Sequence, residues 1–147
     1  MRMRVPLAVG LAVSAAFAAA SCGGGYSNPN SPGGPPASGS VGATITIRAD
    51  GTIDPKEVNI SVGQRVQFIN QHSGQHQPTS NPHLSHTDCP AANLPIMSAG
   101  QSMTTGAFDT AKACGFHDHM LPDTEALRGT IRVGNAQGPA GPVYVKR

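Results

Sequence analysis

Alternating apolar and polar residues set the strongest limit on what this chain can fold into. Ala43, Ile45 and Ile47 alternate with polar residues, and the same period of two returns over residues 58–62 and 66–68. A period of two is typical of a β-strand that buries one face and leaves the other in water. These segments therefore predict strands.

Short turns separate the predicted strands. Asp50-Gly51 follows the first of them, and Gly63-Gln64 separates residues 58–62 from the return strand at 66–68. Residues 130–133 give a last short strand. No window of eleven residues shows a convincing period of 3.6, the period of a helix with one apolar face. The sequence therefore predicts an all-β fold, an antiparallel β-sandwich with long polar loops between residues 71 and 128.

The N-terminal residues predict export. Arg2 and Arg4 precede an apolar run over residues 5–20. About sixteen apolar residues are too few for a comfortable membrane span but suit a secretory signal. We therefore expect residues 1–21 to be a signal peptide.

The residues after the signal predict a membrane tether. Small residues directly before Cys22 resemble the lipobox of bacterial lipoproteins, in which that cysteine is lipidated. Fourteen of the eighteen residues at 23–40 are Gly, Pro or Ser, a composition typical of a flexible spacer. We expect 22–40 to tether a domain to a membrane through a lipid anchor, facing the periplasm or the cell surface.

The remaining chain predicts one domain, at residues 41–134, followed by a C-terminal tail at 135–147. Without Arg2 and Arg4, 8 Lys and Arg (10 minus 2) face 8 Asp and Glu, a formal charge of zero. Nucleic acid is therefore not an expected partner. We expect a monomer.

All six histidines fall in the predicted loop region, where binding residues are more common than on strands. They are His72, His76, His83, His86, His117 and His119. Cys89 and Cys114 lie in the same region, and an even pair of cysteines in an exported protein predicts a disulfide. Cys114 is also the start of CGFHDHM, which brings a cysteine, two histidines and a methionine together.

The order of these motifs resembles the cupredoxins, the blue copper proteins. The run IDPKEVNISVGQRVQFIN is similar to their opening strands, INQHSGQH and CGFHDHM are similar in spacing to the amicyanin ligands, and RGTIRV resembles their closing strand. The resemblance implies a Greek-key sandwich that binds copper through His76, Cys114, His117 and Met120. It also implies an electron carrier with a redox protein partner, rather than an enzyme.

A second register leaves another hypothesis open. Counted back from Gly129 at an azurin-like length, the copper cysteine falls on Asp118, and Cys114 is free to pair with Cys89. The histidines nearby would then bind Cu(II) or Zn(II) through nitrogen alone, or the domain would hold no metal. In either case it would serve copper storage or protein interaction.

Overall fold

The computed structural model describes residues 39–144. The signal peptide, the lipidation of Cys22 and nearly all of the tether lie outside these residues, as does the end of the tail. Within them, the structure contains no helix that is both long and apolar enough to cross a membrane.

Within residues 39–144, eight strands form two four-stranded sheets, which confirms the predicted all-β sandwich. In the first sheet the strands lie in the order β2-β1-β4-β6, and in the second β3-β8-β7-β5. The strands are β1 Val41–Ile47, β2 Ile53–Asp54, β3 Glu57–Ile60, β4 Arg65–Asn70, β5 Pro78–Ser80, β6 Ser102–Thr104, β7 Ala113–Asp118 and β8 Gly129–Val133. Short 3-10 turns cover Pro90–Ala92 and Glu125–Leu127. The β1–β4 and β3–β8 pairs are parallel and the others antiparallel, so both sheets are mixed.

The turn at Gly63 differs from its prediction. The flanking segments do not pair as a hairpin, because β3 belongs to the second sheet and β4 to the first. Both strands still alternate, since each buries one face in the shared interior. The expected return of residues 66–68 alongside residues 58–62 is therefore wrong, and this turn carries the chain from one sheet to the other.

The two faces of β7 have different surroundings. Phe116 packs edge-on against Phe68 of β4, with ring centroids 5.2 Å apart, so Phe116 faces the interior between the sheets. Because side chains alternate along a strand, Cys114 and Asp118 share that interior face and His117 lies on the outer one.

The outer face of β7 is covered by two segments. A disulfide between Cys89 and Cys114 fixes the end of the loop at residues 81–89, and Asn81 at its start donates its backbone N–H to the Gly115 carbonyl at 3.0 Å. Residues 139–144 lie over the same face, since Asn81 Nδ2 donates to the Gly141 carbonyl at 2.7 Å. His117 is therefore fully buried, although it points away from the sandwich interior.

Candidate metal centre

Four histidines converge on the covered face of the second sheet. His83 and His86 come from the loop at 81–89, whereas His117 and His119 come from the end of β7 and the residue just beyond it. One ring nitrogen of each lies within 4.8 Å of the corresponding nitrogens of the others. We call these four residues the histidine cluster.

The ring of His117 is held in one orientation. Its Nδ1 lies 2.9 Å from Asn81 Oδ1. An amide oxygen only accepts hydrogen bonds, so His117 carries its proton on Nδ1 and directs the lone pair of Nε2 into the cluster. There Nε2 lies 3.3 Å from Nδ1 of His83.

The ring of His86 is held in the same manner. Its Nδ1 donates to the Ser80 carbonyl at 2.9 Å, which leaves Nε2 as the nitrogen with a lone pair. Among the described residues, three buried side-chain atoms have no hydrogen-bond partner: Nε2 of His86 and Nδ1 of His119, both in the cluster, and Oδ2 of Asp88. Buried polar atoms are normally satisfied, so two unsatisfied nitrogens in one cluster indicate a missing partner.

The backbone of the loop at 81–89 has an unusual conformation between His83 and His86. Leu84 and His86 adopt left-handed conformations, with φ of 64° and 51°. Such conformations are uncommon outside glycine, and backbone strain of this kind is concentrated at functional sites. This strained turn carries His83 and His86, whose ring nitrogens both reach the histidine cluster.

Burial and mutual repulsion lower the pKa of two members of the cluster, His117 and His83. Burial lowers the pKa of His117 from 6.5 to about 4, and repulsion by charge on His86 and His83 acts in the same direction. The pKa of His83 is also lowered, first by burial and then by His119 and His86. Only a neutral imidazole can bind a metal, so these side chains are ready to act as ligands near neutral pH.

The donor set fits a nitrogen-binding transition metal. Bond lengths of about 2.0–2.1 Å imply ligand nitrogens about 3.4 Å apart in a tetrahedral site. The 3.3 Å between His83 Nδ1 and His117 Nε2 already matches that separation. The Asn81 and Ser80 oxygens act as the outer partners that orient metal-bound imidazoles. Imidazole donors suit Cu(II), Zn(II) and Ni(II).

No protein-family model and no curated protein matches the sequence, but solved structures match the fold. A purple cupredoxin from Nitrosopumilus maritimus aligns over 62% of this chain and 98% of its own, at 20% identity and a TM-score of 0.51. A mutant fern plastocyanin aligns over 61% and 98%, at 17% identity and a TM-score of 0.51. The fold is cupredoxin-like.

The likeness includes an enzyme as well. A copper-containing nitrite reductase from Thermus scotoductus aligns over 66% of this chain but only 23% of its own, at 17% identity and a TM-score of 0.51. At such identities the matches establish the cupredoxin-like fold and leave the site to be judged on its own residues.

In this cupredoxin-like domain the predicted ligands His76, Cys114, His117 and Met120 do not come together. Cys114 is bonded to Cys89 and faces the interior, opposite to His117, so it offers no thiolate. Met120 is 44% exposed, and its backbone N–H donates to Asp118 Oδ1 at 2.9 Å. Cys114 is therefore wrong as a ligand, and the Cys89–Cys114 disulfide of the alternative hypothesis is present.

His76 belongs to a second group of side chains. Its Nδ1 is hydrogen-bonded to Asp118 Oδ2, and its Nε2 lies 2.8 Å from Nδ1 of His72. Asp118 is the residue on which the azurin-like register places the copper cysteine. We call His72, His76 and Asp118 the His–Asp group.

Sequence reasoning included every member of the histidine cluster among its alternatives but did not rank them above His76. It missed Asn81 and Ser80, which orient two of the rings. The motif NPHLSH places Asn81 just before His83 and His86. That proximity was the one available signal, and it indicates nothing about a contact with His117, which is 36 residues away.

Proposed function

We propose that the domain binds one copper ion through His83, His86, His117 and His119. The convergence of four imidazoles around two buried, unpartnered nitrogens carries this proposal. The site would hold Cu(II) through nitrogen alone, without the thiolate of a blue centre. The proposed role is therefore copper storage or delivery, in place of the electron transfer that CGFHDHM suggested.

Copper is preferred over zinc for two reasons. Nitrogen sites bind Cu(II) more tightly than the other divalent ions of the first transition row. The protein also shares its fold with a copper-containing nitrite reductase. Zn(II) takes the same donors and is the expected competitor.

The proposal is one of binding and not of catalysis. The nitrite reductase match covers 23% of that enzyme, which supports a shared fold and nothing about turnover. The proposed place of action is outside the cytoplasm, at a membrane to which Cys22 anchors the chain. The Gly, Pro and Ser residues at 23–40 would give the domain room to reach a donor or acceptor protein.

The test is a titration of the metal-free protein with Cu(II), followed by absorption and electron paramagnetic resonance spectroscopy. We expect one Cu(II) per chain, hyperfine structure from several nitrogens, and only weak visible absorption, because a short copper–thiolate bond is needed for an intense band. His117→Ala should weaken binding more than the roughly 10–100-fold typical of an outer-shell residue, because it removes a ligand.

His72→Ala is the matched control, since it removes a partly buried histidine of the His–Asp group. Its copper affinity should stay close to that of the wild type. An intense red-region band, or equal losses in the two variants, would contradict the proposal.

A further inference from the structure

We propose that the Cys89–Cys114 disulfide controls the metal affinity of the histidine cluster, so that thiol–disulfide exchange couples to metal binding and release. This inference rests on the proposed function. It begins from the origin of the ligands: two come from the loop at 81–89 and two from β7 and its end. The site is complete only when the loop is held against the strand.

The loop is attached to β7 at both ends. At its start, Asn81 donates its backbone N–H to Gly115 and contacts His117 through its side chain. At its end, the disulfide joins Cys89 to Cys114. Along the chain, Cys89 lies three residues from His86, and Cys114 lies three residues from His117. The covalent attachment therefore lies close to one ligand from each segment.

The other contacts at this end of the loop are not covalent. Cys89 donates its backbone N–H to Ser80 Oγ at 2.7 Å, and Asp88 donates its own to the Asn81 carbonyl at 3.0 Å. Lys112, whose side chain is 45% exposed, contacts both the carboxylate and the carbonyl of Asp88. An exposed ion pair contributes little. Without the disulfide, residues 82–88 gain conformational freedom that metal binding must remove again.

A freed Cys114 does not compensate for the lost attachment. Its side chain is on the interior face of β7, with Phe116, whereas His117 is on the outer face. Reduction therefore leaves the cluster with the same four nitrogens, held less firmly. It does not create a thiolate site there.

The chemical step is ordinary thiol–disulfide exchange with a dithiol reductant. The Cys89–Cys114 bond breaks, each sulfur gains a proton and an electron, and the reductant becomes a disulfide. A surface cavity of about 140 Å³ is lined by both cysteines together with Asp88, Pro90 and Lys112, and it offers a small reductant a route to the buried sulfurs.

Linkage requires that the coupling act in both directions. If the disulfide strengthens metal binding by some factor, metal must favour the disulfide over the dithiol by the same factor. Couplings between sites are typically about 5–150-fold. We expect a change of roughly tenfold or more, because two of the four ligands lie on the segment that is released.

The first experiment measures Cu(II) affinity by competition with a chelator, in full chains that all carry Cys22→Ser. One chain keeps the disulfide, one carries Cys89→Ser and Cys114→Ser, and one carries Lys112→Met as the matched control. We expect the cysteine-free chain to bind Cu(II) at least about tenfold more weakly. The control should change less than about fivefold, because it loses only the ion pair and one hydrogen bond that the half-exposed Lys112 makes to Asp88. Circular dichroism establishes that each chain is folded.

The second experiment needs no substitution of Cys89 or Cys114. The disulfide is brought to equilibrium with a dithiol–disulfide couple, with and without saturating Zn(II), which the couple does not reduce. We expect Zn(II) to shift the equilibrium constant toward the disulfide by about tenfold or more. A chain with His83→Ala and His86→Ala, which controls for Zn(II) bound by the couple itself, should show no such shift.

The outcomes separate this inference from the proposed function. If the disulfide-containing chain binds no metal, the proposed function fails. If it binds metal, but a folded cysteine-free chain binds equally well or Zn(II) leaves the disulfide–dithiol equilibrium unchanged, only the coupling fails. A shift toward the dithiol in the presence of Zn(II) would overturn the coupling as well, since it would mean that the freed thiolates bind the metal.

Discussion

The His–Asp group and the histidine cluster use the same side chain in opposite ways. In the first, His76 is hydrogen-bonded through both ring nitrogens, to Asp118 and to His72. In the second, the nitrogens approach one another but Nε2 of His86 and Nδ1 of His119 have no partner. The His–Asp group is complete without a metal, whereas the cluster is not.

The two groups differ because the two faces of β7 provide a histidine with different hydrogen-bond partners. The carboxylate of Asp118, on the interior face of β7, gives His76 an acceptor. On the outer face the neighbours of His117 are mostly other histidines, together with the oxygens of Asn81 and, more distantly, Thr79. Imidazoles packed together repel when charged, so they favour the neutral form that a metal requires. A histidine with an acid partner is therefore structural here, and histidines packed together are the candidate ligands.

The largest expected effect concerns the stability contribution of the His–Asp group. His76→Ala leaves the buried Asp118 Oδ2 without its partner. Breaking a buried pair by removing one side costs about 3–5 kcal/mol, and urea denaturation of the metal-free protein should show such a loss in the free energy of unfolding. Copper affinity of the folded variant should remain within a few-fold.

Exposed Arg48 and Asp54 provide the comparison for that measurement. They form an ion pair with both side chains about half exposed, so Arg48→Ala should cost no more than about 1 kcal/mol. A His76→Ala variant that is as stable as Arg48→Ala, or one that loses copper binding while folded, would remove the distinction between the two groups.

The second-largest expected effect is a pH dependence of the unfolding free energy, which comes from His117 in the histidine cluster. His117 has a pKa of about 4 in the folded protein and 6.5 as the reference value. Between these values the unfolded chain binds a proton that the folded protein excludes, so metal-free stability falls as pH drops from 6.5 to 4. The loss from this residue is at most about 3 kcal/mol.

A non-titrating substitution isolates that contribution. His117→Gln removes the ionisable ring, and its unfolding free energy should fall less steeply over the same pH interval than that of the wild type. Carboxylates titrate in both proteins, so only the difference between the two slopes is informative. Identical slopes would mean that His117 takes up its proton as readily in the folded protein as in the unfolded one.

Much of the fold could be predicted because it depends on local patterns. Alternation at Ala43, Ile45 and Ile47 reports burial directly, and β1 is present with Ile45 and Ile47 fully buried. Strand pairing was harder to predict from the sequence. The turn at Gly63 is compatible with a hairpin or with a change of sheet, and that choice depends on β8, which pairs with β3 from about 70 residues away.

The candidate site was harder to predict because its decisive contacts are not local. CGFHDHM has the same spacing whether Cys114 binds copper or Cys89, and the spacing does not show that β7 continues as a strand through His117. Because it does, Cys114 and His117 lie on opposite faces of β7. Spacing identified the histidines but could not tell which of them had acid partners and which had none.

The smallest expected effect concerns the orientation of the His117 ring, which Asn81 holds through a hydrogen bond. Asn81→Leu removes the acceptor that holds His117 Nδ1–H, so Nε2 is no longer fixed toward the cluster. Loss of an outer-shell partner typically costs about 10–100-fold in metal affinity, and chelator competition should show a decrease in that range.

Asn81 also contacts the Gly141 carbonyl, and Asn81→Asp separates this contact from the one with His117. The aspartate keeps an oxygen for His117 but loses the Nδ2 donor to the Gly141 carbonyl. If orientation of the ring is what matters, Asn81→Asp retains copper affinity while Asn81→Leu loses it. If both variants lose affinity equally, Asn81 acts through residues 139–144 instead. The cluster would then depend on the C-terminal segment that covers it more than on the tautomer of His117.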